Sequence, residues 1–118
     1  MVLTECHTLS LALEGLHVTR RAVDAITRAL RLRFPAVSSL DLYLDYCYLQ
    51  HRDVVPLVYW IQETACAGRL RRLGFYALGN HFEPHHVAWT LQVIRRVPHG
   101  RVDLRRNAEA GEGDSCEW

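Results

Sequence analysis

An apolar pattern occurs three times along this chain, and it changes period inside every copy. Leu9-x-Leu11-x-Leu13 is followed by Val18, Val23, Ile26 and Leu30. Thirty-one positions on, Leu40-x-Leu42-x-Leu44 is followed by Leu49, Val54, Leu57 and Ile61. A further 33 positions on, Leu73-x-Phe75-x-Ala77 is followed by Phe82, Val87, Thr90 with Leu91 beside it, and Ile94. A partial fourth copy starts at Val102-x-Leu104. The first part of each copy alternates, which is a strand with one buried face. The second part recurs at three and four, which is a helix with one buried stripe.

Local punctuation agrees with that division. Thr19 has the chemistry of an N-cap for the first helix. Pro84 fits the first turn of the third, where its missing N–H is of no consequence. Gly68 and Gly100 follow the second and third helices, where a left-handed residue often ends a helix. Pro35 and Pro98 block continuation of the first and third. Pro56 suits only a first turn, so the second helix is expected to start near Val54 or Val55. These signals predict strands over 8–14, 39–45, 72–78 and 101–105, and helices over 19–33, 53–66 and 84–97.

Strand, crossover helix and parallel strand make a βαβ unit, and the fold class is α/β. Equal spacing allows two architectures. One is a short right-handed solenoid with the parallel sheet on one side and the helices on the other. The other is a compact open sheet with helices on both faces. Strands buried on both faces read as continuous apolar runs, whereas these alternate, which favours the solenoid. The repeats cover about 7–37, 38–70, 71–100 and, in part, 101–107. They form a domain over 1–106, and 107–118 reads as a flexible acidic tail. No capping unit is evident, so the first and last strands are expected to be open edges that invite self-association.

The repeats resemble the leucine-rich-repeat family, specifically its longer, ribonuclease-inhibitor-like units. That family's signature is L-x-L-x-x-N/C-x-L followed by a helix. Here it is carried by Leu42-x-Leu44-x-x-Cys47-x-Leu49, Phe75-x-Ala77-x-x-Asn80-x-Phe82 and Leu11-x-Leu13-x-x-Leu16-x-Val18, with Val102-x-Leu104-x-x-Asn107 starting a fourth. The first copy has Leu16 where Asn or Cys is expected, and the interval exceeds the usual ~20–29 residues. The resemblance covers residues 7–107. It implies a protein-binding scaffold that holds its partner on the strand face.

At 118 residues the chain has the size of one domain. Its basic residues are all arginine, 14 in number. Either a GC-rich genome or selection against ubiquitin attachment would leave this mark. The net charge of +1 hides an asymmetry: Glu109, Glu112, Asp114 and Glu117 put −4 on residues 107–118 and leave +5 on the rest. The start of the chain lacks a basic region before its broken apolar stretch, unlike a secretory signal. No apolar run nears the ~20 residues of a membrane span. Cys6, Cys47, Cys66 and Cys116 show no CxxC spacing, so reduced thiols in a cytoplasmic or nuclear setting are expected.

No GxSxG, HExxH, GxxxxGK[ST] or GxGxxG string occurs, and the sequence reads as non-catalytic, with no cofactor. Cys47 and Asn80 fall on the buried polar slot of the motif, where they are expected to bond loop backbone between neighbouring repeats. The outward positions of the strands are expected to form columns: Ser10, Asp41, Gly74 and Asp103 in one, Ala12, Tyr43, Tyr76 and Arg105 in the next. Tyr43 and Tyr76 then sit one strand apart, with Tyr46 and Tyr48 near by and Asp41 and Asp45 flanking. Exposed tyrosines among a few charges are typical interface anchors, although cross-strand packing alone would also place them so. The expected partner is another protein, in an adaptor or host-interaction role, contacted through Asp41, Tyr43, Asp45, Tyr46, Tyr76 and Arg105. A second reading is a basic end of Arg69, Arg71, Arg72, Arg101 and Arg106, joined by Arg95 and Arg96, that takes nucleic acid or an acidic partner. A third is a small metal-dependent enzyme built on His81, His85 and His86 around Glu83, whose donor types suit zinc though their spacing matches no known signature. Trp60 and Trp89 lie off the core stripe and are expected to pack sideways between helices.

Overall fold

A computed structural model describes residues 1–107 and 115–118. The elements, in chain order, are β1 (Thr8–Ala12), α1 (Arg20–Arg33), β2 (Ser39–Tyr43), α2 (His51–Cys66), β3 (Arg72–Tyr76), α3 (Pro84–Ile94), β4 (His99–Asp103) and β5 (Ser115–Glu117). The protein is thus α/β, with a five-stranded, mostly parallel sheet and three helices. The strands lie in sequence order, parallel from β1 to β4, and β5 runs antiparallel on β4. Each helix joins adjacent strands; α1 packs on α2 and α2 on α3. The alternating strand residues Leu40, Leu42, Leu73, Phe75 and Val102 meet Leu30, Leu57, Ile61 and Ile94 of the helices in one core. Trp60 is buried in it, and Trp89 packs against it.

The helix starts follow the chemistry of their first residues. The Thr19 hydroxyl accepts a hydrogen bond from the Ala22 N–H at 3.2 Å, which satisfies one of the orphan donors of α1. In α2 the Asp53 carboxylate reaches back to the Gln50 N–H at 2.8 Å. That helix starts at His51, three residues before the earliest start that Pro56 suggests. Pro56 has no N–H to give the Arg52 carbonyl one turn back. The Arg20 guanidinium of α1 donates to that carbonyl at 2.8 Å instead. A neighbouring helix thereby supplies the bond that the proline removes.

Two expectations for the end of the sheet are corrected. Val102 pairs with Phe75, Asp103 with Tyr76 and Arg101 with Gly74. Asp103 therefore does not share a column with Gly74, and Arg105 lies beyond the strand. Nor is the β4 edge open. Residues 115–117 pair with it, and the Trp118 side chain donates to the Val97 carbonyl at 2.7 Å. Of the segment 107–118, Asn107 is buried and 115–117 form β5, while 108–114 lie outside the described residues. Gly100, expected after α3, belongs to β4. Among the described residues no strand covers the outer edge of β1.

Candidate protein-binding face

The turns after the strands decide what the strand ends present. Gly15, Tyr46, Gly79 and Arg106 occupy one equivalent turn position, and all four are left-handed, with φ of 79°, 55°, 69° and 58°. Glycine takes that conformation freely, whereas an L side chain pays about 1 kcal/mol. The turns stack through backbone bonds: Gly15 to Asp45, Tyr46 to Leu78 and Gly79 to Arg105, all donating N–H to C=O at 2.8–3.0 Å. The Tyr46 ring packs close against Gly79, where a Cβ would run into it. Its hydroxyl accepts from the Arg106 guanidinium at 3.1 Å.

One residue further along, the polar slot ties the repeats together. The Asn80 side-chain oxygen accepts from the N–H groups of Cys47 and Leu49 at 3.0 and 2.9 Å. Its amide donates to the carbonyls of Leu44 and Ala77 at 2.8 and 3.1 Å. Asn107 repeats this between the third and fourth units, bonding Phe82, Ala77 and Leu104. The Cys47 thiol donates to the Leu13 carbonyl at 2.9 Å, and burial pushes its pKa up. A thiol so held is a structural group and a poor nucleophile. Leu16 occupies the slot in the first repeat and is exposed.

On this frame Tyr43 and Tyr76 are register partners, and their rings stack at 4.9 Å and 10°. Both are half-buried. One residue pair back, Asp41 accepts from Arg72 at 3.1 Å, and Arg72 also reaches Ser39. Between Asp41 and Arg101 stands Gly74. A side chain there would run into the Asp41 carboxylate and the Tyr76 ring, so the glycine leaves room for both. Next to Tyr76, Asp103 accepts two bonds from Arg105 at 3.0 and 2.9 Å. Those bonds hold the Asp103 carboxyl below the usual range, against the effect of burial. Burial pushes the Tyr76 hydroxyl up, with Tyr43 and Asp41 adding to it and Arg101 and Arg72 opposing.

The structure thus brings Asp41, Tyr43 and Tyr76 together as expected, and adds Arg72, Arg101 and Asp103. Tyr46 and Arg106 form a rim above them. Asp45 turns away to accept the Leu78 N–H at 2.8 Å. Its carboxyl is raised above 3.8, by burial first, with the charges of Asp103 and Glu14 adding and the Leu78 bond opposing. A raised folded pKa means that the protonated form is favoured in the folded state. The stability contribution is complete below the ordinary aspartate value and is lost as pH rises through the folded one. Asp45→Asn keeps the acceptor and removes the charge. It should raise the Tm at pH 7 by about 2 °C, with the gain vanishing as pH falls toward 3.8; parallel melts at the two pH values decide this.

Part of the expected arginine group lies at one end of the sheet. Arg69, Arg71 and Arg72 lie before and at the start of β3 and Arg95 and Arg96 just before the parallel strand β4, at the same end, whereas Arg105 and Arg106 follow the end of β4. About 13 Å of strand separates these two levels. Arg72, Arg101, Arg105 and Arg106 are each engaged, with Asp41, Glu117, Asp103 and Tyr46 respectively.

The histidines do gather. His51, which the sequence reading passed over, stacks on His86 at 4.0 Å and 4°, and His85 lies 3.9 Å from His86. His81 and Glu83 line the same cleft. The signal that pointed there was position: His51 opens α2 as Pro84 opens α3, one repeat on.

No family model, curated protein or solved structure matches this chain. No helix among the described residues is long and apolar enough to cross a membrane.

Proposed function

We propose that the chain is a short right-handed solenoid of leucine-rich-repeat kind and that it binds a protein partner, without catalysis, through the strand face centred on Tyr43 and Tyr76. The observation that carries this reading is the stacked tyrosine pair. Strand register sets its two rings side by side, the Tyr76 ring lies close over Gly74, and Asp41–Arg72 and Asp103–Arg105 pairs ring it. A rigid aromatic anchor loses little entropy on binding, and charged pairs around it impose orientation. Sequential parallel strands, helices packed on their neighbours and an asparagine ladder support the solenoid. Free thiols at Cys6, Cys47, Cys66 and Cys116 support a reducing compartment, cytoplasmic or nuclear.

The test is affinity capture from cell lysate with the native chain and with a Tyr43→Asp/Tyr76→Asp variant, read by mass spectrometry. The variant should lose one specific protein, with affinity down about 30-fold or more, the scale of two hot-spot residues. Circular dichroism checks that its fold persists. Retention of every captured protein, or capture of nuclease-sensitive material alone, overturns the reading.

A further inference from the structure

We propose that Glu83, His85 and His86 at the start of α3, with His51 of α2 beside them, form a binding site for a divalent transition-metal ion of the zinc class. This inference is independent of the strand-face reading. Donor atoms of Glu83, His85 and His86 lie within 4.8 Å of one another. Zinc takes imidazole nitrogen and carboxylate oxygen at about 2.0–2.2 Å, so tetrahedral ligands stand about 3.4 Å apart. Closing the difference takes side-chain torsions alone. Glu83 and His85 are free to make them, being 64% and 70% exposed and already 3.6 Å apart.

Three further observations point to a ligand here. First, Glu83 is the N-cap of α3, yet its carboxylate caps no N–H. The carboxylate leans instead toward His85, 3.6 Å away. Second, the Nδ1 atoms of His51 and His86 are shut off from solvent and have no hydrogen-bond partner. A buried polar atom without a partner is costly. Turning an imidazole about its outer bond exchanges its nitrogens with carbons, so a bound cation can recover that lone pair. Third, His51 and His86 stack face to face at 4.0 Å, His85 lies tilted against His86 at 3.9 Å, and Phe82 and Trp89 stand edge-on to His51 at 6.4 and 5.0 Å.

The cleft beside the cluster encloses about 350 Å³ and is lined by Gln50, His51, Arg52, His81, Glu83 and His86. It gives the ion an approach and room for a water ligand. Arg52 lines the cleft as well, and its cation works against the site; the Glu83 carboxylate offsets it. Pro84 and the first turn of α3 fix the backbone between the ligands, so little ordering remains to be done on binding. Imidazole donors favour zinc-like ions over magnesium or calcium, which prefer oxygen.

The test is isothermal titration of Zn²⁺ into the untagged full chain, with Co²⁺ absorption as a reporter of the donor set. One ion should bind per chain at micromolar affinity or tighter. His85→Ala/His86→Ala should weaken it about 100-fold, and Glu83→Gln about 10-fold, the scale of lost ligands and their supports. Cys66→Ser/Cys116→Ser should leave it unchanged, and Co²⁺ should give a tetrahedral nitrogen–oxygen spectrum without a thiolate band. Because His85 is exposed, His85→Ala alone serves if the double variant does not fold, and it should weaken binding about 10-fold or more. No saturable binding at 100 µM Zn²⁺, affinity unmoved by His85→Ala, or loss confined to the cysteine variant overturns the proposal.

Discussion

Asn80→Ala should lower the midpoint of thermal unfolding by about 12 °C. The residue is 4% exposed and holds four backbone groups from two neighbouring repeats. Alanine leaves the Cys47 and Leu49 N–H groups and the Leu44 carbonyl without their partner, in a site too enclosed for bulk water. Each such group costs about 1–3 kcal/mol, and a sum near 3 kcal/mol is expected once the chain relaxes. For a domain of this size about 4 °C accompanies each kcal/mol. Asn80→Asp separates the two halves of the bond set. It keeps an acceptor for Cys47 and Leu49 but turns a buried negative charge on the Leu44 and Ala77 carbonyls, so it should destabilise at least as much at pH 7. Melts and urea unfolding of the two variants test this. A loss under 3 °C for both would mean that the turns are held by their backbone bonds alone. The consequence reaches the proposed face, because the turn that Asn80 pins carries Tyr46 and ends the strand that carries Tyr43.

The repeat made this frame readable. Strands β1, β2 and β3 start at the residues that the alternation predicts, and Cys47, Asn80 and Asn107 bond as the slot implies. The unread parts depend on partners distant in sequence. The register of β4 is one case. Reading Val102 as the first apolar residue of its copy placed Asp103 beside Gly74. The asparagine slot aligns Val102 with Phe75, and the strands pair that way. The interval had shrunk because α3 has 11 residues where α2 has 16. Pro56 is another: its effect on α2 is cancelled by Arg20, on a different helix. Tyr46 and Arg106 stand at the left-handed position that Gly15 and Gly79 fill, and no local preference announces a tyrosine or arginine there. The short polar strand Ser115–Glu117 has no alternation to read; only its pairing with β4 defines it.

Removing residues 115–118 should convert the protein into open-ended oligomers. Three residue pairs join β5 to β4, and the Gly100 and Trp118 backbones exchange bonds at 3.1 and 2.9 Å. The Trp118 ring lies against Gly100, its N–H is held by Val97, and Glu117 pairs with Arg101 at 2.9 Å. Loss of the indole's burial alone costs about 2 kcal/mol, or about 8 °C in Tm. The larger effect is on assembly. An uncovered strand edge is a template for another chain. With β5 in place, the edges among the described residues are β1 and the three-residue β5, too short a strand to template another chain well, and pairing through β1 closes at a dimer because both partners spend the same surface. Without β5, the β4 edge of one copy can meet the β1 edge of the next, and a head-to-tail contact that leaves an edge free at each end does not close. Light scattering on the shortened chain should therefore show mass growing with concentration, with no plateau at two. Trp118→Ala keeps the backbone ladder and should lower the Tm without that growth. If the shortened chain keeps both its mass and its Tm, β5 does not protect the sheet.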